Sequence, residues 1–167
     1  MDLIVDPSGS LACGGLRFRC ALGRGGVRTD KHEGDGATPA GAFPLLALYI
    51  RADRMRPPAS ALPAHALVPS DGWCDDPTCP DYNRLVALPH AGSHERLWRD
   101  DGLYDMLVVI GYNDSPVVAG RGSAIFLHVA APDFSPTEGC VALTHDALVQ
   151  VVALCDTTSI IRIMAPG

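Results

Sequence analysis

Residues 126–143 read FLHVAAPDFSPTEGCVAL. An apolar run carries His128 near its end, and Cys140 follows twelve positions later, framed by Gly139 and Val141. The pair admits three readings: a nucleophile with its base, half of a metal site, or core packing. A cysteine nucleophile needs a setting that makes thiolate, an accessible place at the edge of an element, and backbone N–H donors for the oxyanion. The segment TEGC can meet the last two. Gly139 lets the backbone approach a substrate carbonyl closely, and the amides of Gly139 and Cys140 can point at the developing charge. His128, near the end of an expected strand, faces Cys140 if both flank one sheet edge, and the connection through Pro132 and Pro136 is long enough for that return.

Working outward, DMLVVIGY (105–112) and SAIFLHVA (123–130) are rich in β-branched and aromatic residues and read as two core strands. Past Cys140, Thr144 can cap a helix whose Ala147, Leu148, Val151, Val152 and Cys155 share one face. TSIIRIM then reads as a closing strand. At the other end, LIV, a DPSGS turn and GLRFRCAL suggest a hairpin in which Leu16, Phe18 and Cys20 face inward and Arg17 and Arg19 outward. GRGGVRTDKHEGDG (23–36) is a glycine-rich, charged loop, and its DKHEGDG part reads as a solvated turn because it lacks the Gly-Lys-Ser/Thr ending of a phosphate loop. From about residue 51 to 104 periodicity disappears among seven prolines between Pro57 and Pro89. A segment that long without regular pattern is expected to be an insertion folded over one face of the sheet.

The chain has 167 residues, enough for one well-buried domain and too few for two ordinary ones. Its net charge of −6 and its scattered arginines give no footprint for nucleic acid. No apolar stretch approaches the roughly 20 residues that span a bilayer, and the start, MDLIVDPSGSL, shows no basic region of a secretory signal. Of the six cysteines, Cys74 and Cys79 are close enough to pair in a turn and Cys13 and Cys20 could span a hairpin; each is otherwise a small buried hydrophobe.

A second motif, TPAGAF (38–43), lies upstream of H…TEGCVAL. Together they resemble the YkuD-type L,D-transpeptidase catalytic domain, from TPAGAF through AIFLHVA to SPTEGCVAL. The resemblance implies a single domain over 1–167 that is mainly β: a β-sandwich of mixed sheets with one helix after the nucleophile and an irregular insertion forming a cap. It implies Cys140 as nucleophile, His128 as base, and an oxyanion hole of the Gly139, Cys140 and Glu138 amides, with no metal or cofactor. The implied substrates are peptidoglycan stem peptides, crosslinked through a thioester by 3,3 or the variant 1,3 linkage, in the periplasm or cell wall. Thr137, Ser123, Tyr82, Arg84, His94, Arg96, Trp98 and Tyr104 are candidate substrate-binding residues, and Trp73 and Asn83 are further candidates for the wall. Arg84 or Arg96 would grip stem carboxylates. The chain departs from the family in having Ala142 where Arg is usual two positions after the cysteine, and in its short interval between His128 and Cys140.

Other readings use the same residues differently. The stems could be hydrolysed by an L,D-carboxypeptidase or amidase. A zinc hydrolase would take His90, His94, Cys74 and Cys79 as ligands, although Pro89 and Gly92 in PHAGSHE argue against the helix that makes H-x3-H useful. A noncatalytic wall-binding sandwich would leave His128 and Cys140 as packing residues.

Overall fold

The computed structural model describes residues 1–167. The first residues form β1 (Asp2–Asp6), β2 (Ser10–Cys13) and β3 (Leu16–Arg19), an antiparallel meander. Short β4 (Val27–Arg28) and β5 (Thr38–Pro39) pair in parallel and lead into the long β6 (Gly41–Ile50). The segment 51–104 supplies β7 (Ala64–Ala66), β8 (Asp71–Cys74), β9 (Leu85–Ala87) and β10 (His94–Arg96). Then come β11 (Met106–Ile110), β12 (Phe126–Val129), β13 (Val141–Leu143), α1 (His145–Ala153) and β14 (Ile160–Ile163).

The chain is mainly β, with mixed sheets and one helix directly after Cys140. Its large sheet runs β13-β12-β11-β6-β14-β1-β2-β3, with β7 added alongside β6. The two ends of that order meet: Ala21, just past β3, exchanges hydrogen bonds of 2.8 and 2.9 Å with Ala142 of β13. The sheet therefore curls almost closed, which removes most of its free edge.

Side-chain alternation on the strands sorts two apolar clusters. Met106, Val108 and Ile110 of β11, Leu127 of β12 and Val141 and Leu143 of β13 face the larger core together with Ala147, Leu148, Val151 and Val152 of α1. The other face presents Leu107, Val109 and Phe126 beside Cys140, and is covered by Leu67, Trp73, Leu97 and Tyr104 from the insertion. Thr144 caps α1 as expected, its Oγ1 accepting from the Ala147 amide at 3.3 Å. No helix is long and apolar enough to cross a membrane.

Three expectations need correction. The opening hairpin is a three-strand meander, because a Gly14-Gly15 turn divides the run; Leu16 on its outermost strand is 40% exposed and Phe18 only half-buried. Cys13 and Cys20 stand at opposite ends of the β2–β3 ladder, Cys13 opposite Leu16 while the Cys20 amide bonds Gly9. Four ladder positions span on the order of 13 Å, against the roughly 7 Å Cα separation a disulfide tolerates. Third, the insertion is not irregular throughout: β10-β8-β9 form a small antiparallel sheet, whose strands of three or four residues are too short to show periodicity between prolines.

Candidate active site

Parallel pairing of β12 with β13 brings His128 and Cys140 onto one face. Leu127 lies opposite Val141 and His128 opposite Ala142, so Cys140, one residue before β13, comes level with Phe126. The thiol is tied there: Phe126 N–H donates to Cys140 Sγ at 3.3 Å and Sγ donates to Ala124 O at 3.3 Å. With period-two alternation, His128 projects from the same side one step further along. Its Nδ1 donates to Val129 O at 2.8 Å, since a carbonyl can only accept, which leaves Nε2 as the basic atom. The Tyr104 ring packs edge-on against the imidazole, with centroids 5.1 Å apart.

The turn that carries Cys140 is built by three segments. Thr137 Oγ1 donates to Cys140 O at 2.7 Å and accepts from the Gly139 amide at 3.1 Å. Gly139 adopts φ +137, and a Cβ there would lie 2.7 Å from Ala37 O, so only glycine fits. Thr137 in turn bonds the 22–24 loop, donating to Leu22 O and accepting from the Arg24 amide. That loop is held from behind by the buried Thr38, whose Oγ1 accepts from the Gly23 amide at 2.8 Å. The TPAG segment is thus the backing of the cysteine turn. Gly139 N–H is occupied by Thr137, whereas the Glu138 and Cys140 amides have no hydrogen-bond partner in the chain.

Burial dominates the electrostatics. It pushes the Cys140 thiol up to about 12, with the nearby Glu95 charge acting in the same direction. Burial likewise holds His128 down to about 4, against the favourable Val129 carbonyl. Thiol and imidazole are therefore both neutral at rest. Glu95 is raised above the usual carboxylate range, by burial first, while it accepts from Tyr104 OH.

Cys140 and His128 line a cleft of about 480 Å³, joined there by Ser123, Thr137, Glu138, His94 and Tyr104 among the residues expected from sequence. Tyr82, Arg84, Arg96, Trp98, Trp73 and Asn83 do not line it. Tyr82 is buried and donates to Glu33 at 2.5 Å, positioning that carboxylate. Arg84 pairs with Asp114 at 2.7 Å, Arg96 is exposed at the end of β10, and the Arg51 guanidinium stacks on the Trp98 ring at 3.5 Å. Trp73 packs edge-on to Phe126, and Asn83 accepts from the Trp73 indole and the Ala124 amide. The cations in the cleft are instead Lys31 and Arg99, with Glu33, Asp75 and Glu95 as further acids.

The DKHEGDG loop is correspondingly not a solvated turn. Lys31 and Asp35 pair at 2.8 Å with side chains 4% and 7% exposed. Burial raises the Asp35 carboxyl, but Lys31 and the Ala37 and His32 amides outweigh it and bring it to about 2. Glu33 accepts from both Tyr82 and Ser123. The only hint in the sequence is the i,i+4 spacing of Lys31 and Asp35. Asp75 Oδ1 is buried without a partner, an acceptor available to a ligand.

Residues 8–163 match YkuD, the L,D-transpeptidase catalytic domain, and the chain belongs to that family. Among solved structures, the helical cell shape determining protein Pgp2 of Campylobacter jejuni is 13% identical with a TM-score of 0.51, over 99% of this chain and 48% of that one. An L,D-transpeptidase from Mycobacterium smegmatis is 12% identical with a TM-score of 0.45, over 98% of this chain and 58% of that one. The chain thus spans about half the length of the solved structures it matches. No protein in a search of curated sequences matches it.

Proposed function

We propose that the protein is a cysteine-dependent L,D-transpeptidase that crosslinks peptidoglycan stem peptides through a thioester on Cys140. The observation that carries this reading is the placement of Cys140 and His128 on one strand face at a cleft, with unbonded amides beside the sulfur. Sγ leaves Ala124 O and attacks the carbonyl of an L-configured centre, while neutral His128 takes its proton. The tetrahedral oxyanion accepts from the Cys140 and Glu138 amides; Gly139 contributes shape rather than a donor. His128 returns the proton to the departing amine of the terminal D-residue. An acceptor amine then resolves the thioester and frees Cys140.

The cleft's charges suit a zwitterionic peptide: Arg99 toward a carboxylate, and Asp75, with its unpartnered Oδ1, and Glu33 toward an ammonium. With Ala142 in place of the family's arginine, Arg99, paired with Asp101 at 2.5 Å and 3.9 Å from Glu95, is the cleft's more exposed cation and would exchange Asp101 for a stem carboxylate. The substrate places the enzyme in the periplasm or cell wall.

The test incubates the purified protein and its Cys140→Ala form with tetrapeptide muropeptides, with products read by liquid chromatography and tandem mass spectrometry. A crosslinked dimer from the unmodified protein alone supports the proposal, and its fragments assign the linkage as 3,3 or 1,3. Shortened monomers would mean a carboxypeptidase, and equal activity of both forms would remove Cys140 from the chemistry.

A further inference from the structure

Outside the cleft, one other cluster of reactive side chains converges. Cys74 Sγ, Cys79 Sγ and a ring nitrogen of His90 all lie within 4.8 Å of one another. Cys74 ends β8, Cys79 sits in the following turn, and His90 lies in the connection from β9 that returns along β8 to pair His94 with Cys74, so the cluster ties together the two connections of the small sheet. The two cysteines have C-x4-C spacing, which is within the range of structural zinc sites.

We propose that Cys74, Cys79 and His90 form a structural zinc(II) site, with Asp81 or water as the fourth ligand. Zinc bonds of about 2.3 Å to sulfur and 2.0–2.1 Å to nitrogen set a tetrahedral S···N edge near 3.6 Å and an N···O edge near 3.3 Å. Cys79 Sγ is 3.8 Å from His90 Nε2, and Asp81 Oδ2 is 3.3 Å from the same nitrogen. With Nε2 turned to the sulfurs, Nδ1 lies 3.2 Å from the Gly92 amide, which donates to it, and 3.4 Å from Gly92 O, so zinc binding through Nε2 requires Nδ1 to exchange the amide for the carbonyl, the kind of outer partner that orients a histidine ligand.

Cys74 is fully buried while Cys79 and His90 are half-buried, so the site has an inner anchor and an open approach for the ion. Binding releases two thiol protons to solvent, and the two thiolates neutralise the zinc charge. None of these ligands lines the cleft, and His94 faces the cleft with its Nδ1 on Gly92 O at 2.9 Å. The ion is therefore a staple and not a catalytic centre, contrary to the hydrolase reading. What it fixes is the wall that carries Asp75, His94 and Glu95 into the cleft.

The test uses the full chain, reduced and stripped with a chelator, then titrated with zinc(II) against a chromophoric competitor and with cobalt(II) by absorption. The proposal predicts one ion per chain, a thiolate-to-cobalt charge-transfer band, and a higher melting temperature with zinc. Cys79→Ser and His90→Ala should each weaken zinc at least about 100-fold, more than loss of an outer partner does, whereas Cys140→Ala should keep full affinity. Reduced protein that takes up no stoichiometric zinc, or that shows no thiolate band with cobalt, would overturn the site whatever the variants do. So would variants binding as tightly as the parent. A disulfide between Cys74 and Cys79 whose reduction restores no metal binding would overturn it equally.

Discussion

At the residue scale, burial decides how the site responds to pH. His128 is held near 4 in the folded chain, below the 6.5 of an exposed imidazole. The folded state keeps it neutral while the unfolded chain takes up a proton, so stability is full above about pH 6.5 and falls as pH drops toward about 4, by about 3 kcal/mol in all. Denaturant midpoints measured across that range should show this loss, and His128→Gln should flatten it. The acid limb of kcat/KM should lie near pH 4 and not near 6.5, because catalysis needs the neutral base. His128 and Cys140 were legible as candidates because a strand-borne histidine and a Gly-Cys turn are local patterns, but those patterns left a metal site and core packing open until TPAGAF was read with them. Lys31, Glu33, Glu95 and Arg99 were not, because their place in the cleft depends on which loop folds over which. Asp35, for instance, is buried only because Lys31 and two amides meet it there.

At the scale of elements, the cysteine turn is only as well placed as the loops behind it. Gly139→Ala would drive a Cβ toward Ala37 O at a φ that disfavours side chains. A displacement of about 1 Å at a reacting atom costs on the order of 100-fold. The expected result is that loss in kcat with near-native circular dichroism. β11, β12, the capped helix and the last strand could be read from the chain, since the strands lie in apolar runs rich in β-branched residues (105–112, 123–130, TSIIRIM) and the helix shows one apolar face behind Thr144, whereas β13, three residues long, could not. β4, β5 and the β10-β8-β9 sheet could not, being two to four residues long and interrupted by proline and glycine. TPAGAF marked the family, but its physical role through Thr38, Gly23 and Thr137 emerges only when the three segments are stacked.

Across the whole molecule, a curled sheet carries one core and the insertion covers a second, smaller one. The junction rests on Arg51, 3% exposed, which stacks on the Trp98 ring and donates to Arg99 O at 2.7 Å and to Asp53 at 2.8 and 2.9 Å. Arg51→Ala should cost about 2 kcal/mol or more and expose the 51–104 segment to protease before the rest of the chain, which limited proteolysis with mass mapping would show. Because the insertion holds Arg99 and Glu95, the same variant should raise KM more than it lowers kcat. The central claim, that Cys140 is the acyl carrier, is tested most directly by intact-protein mass spectrometry after brief incubation with a tetrapeptide stem. The account predicts an added mass equal to the stem without its terminal D-residue, mapped by proteolysis to the peptide that contains Cys140 and absent in Cys140→Ala. Turnover of the stem with no adduct on Cys140, or with the adduct on another cysteine, would contradict it.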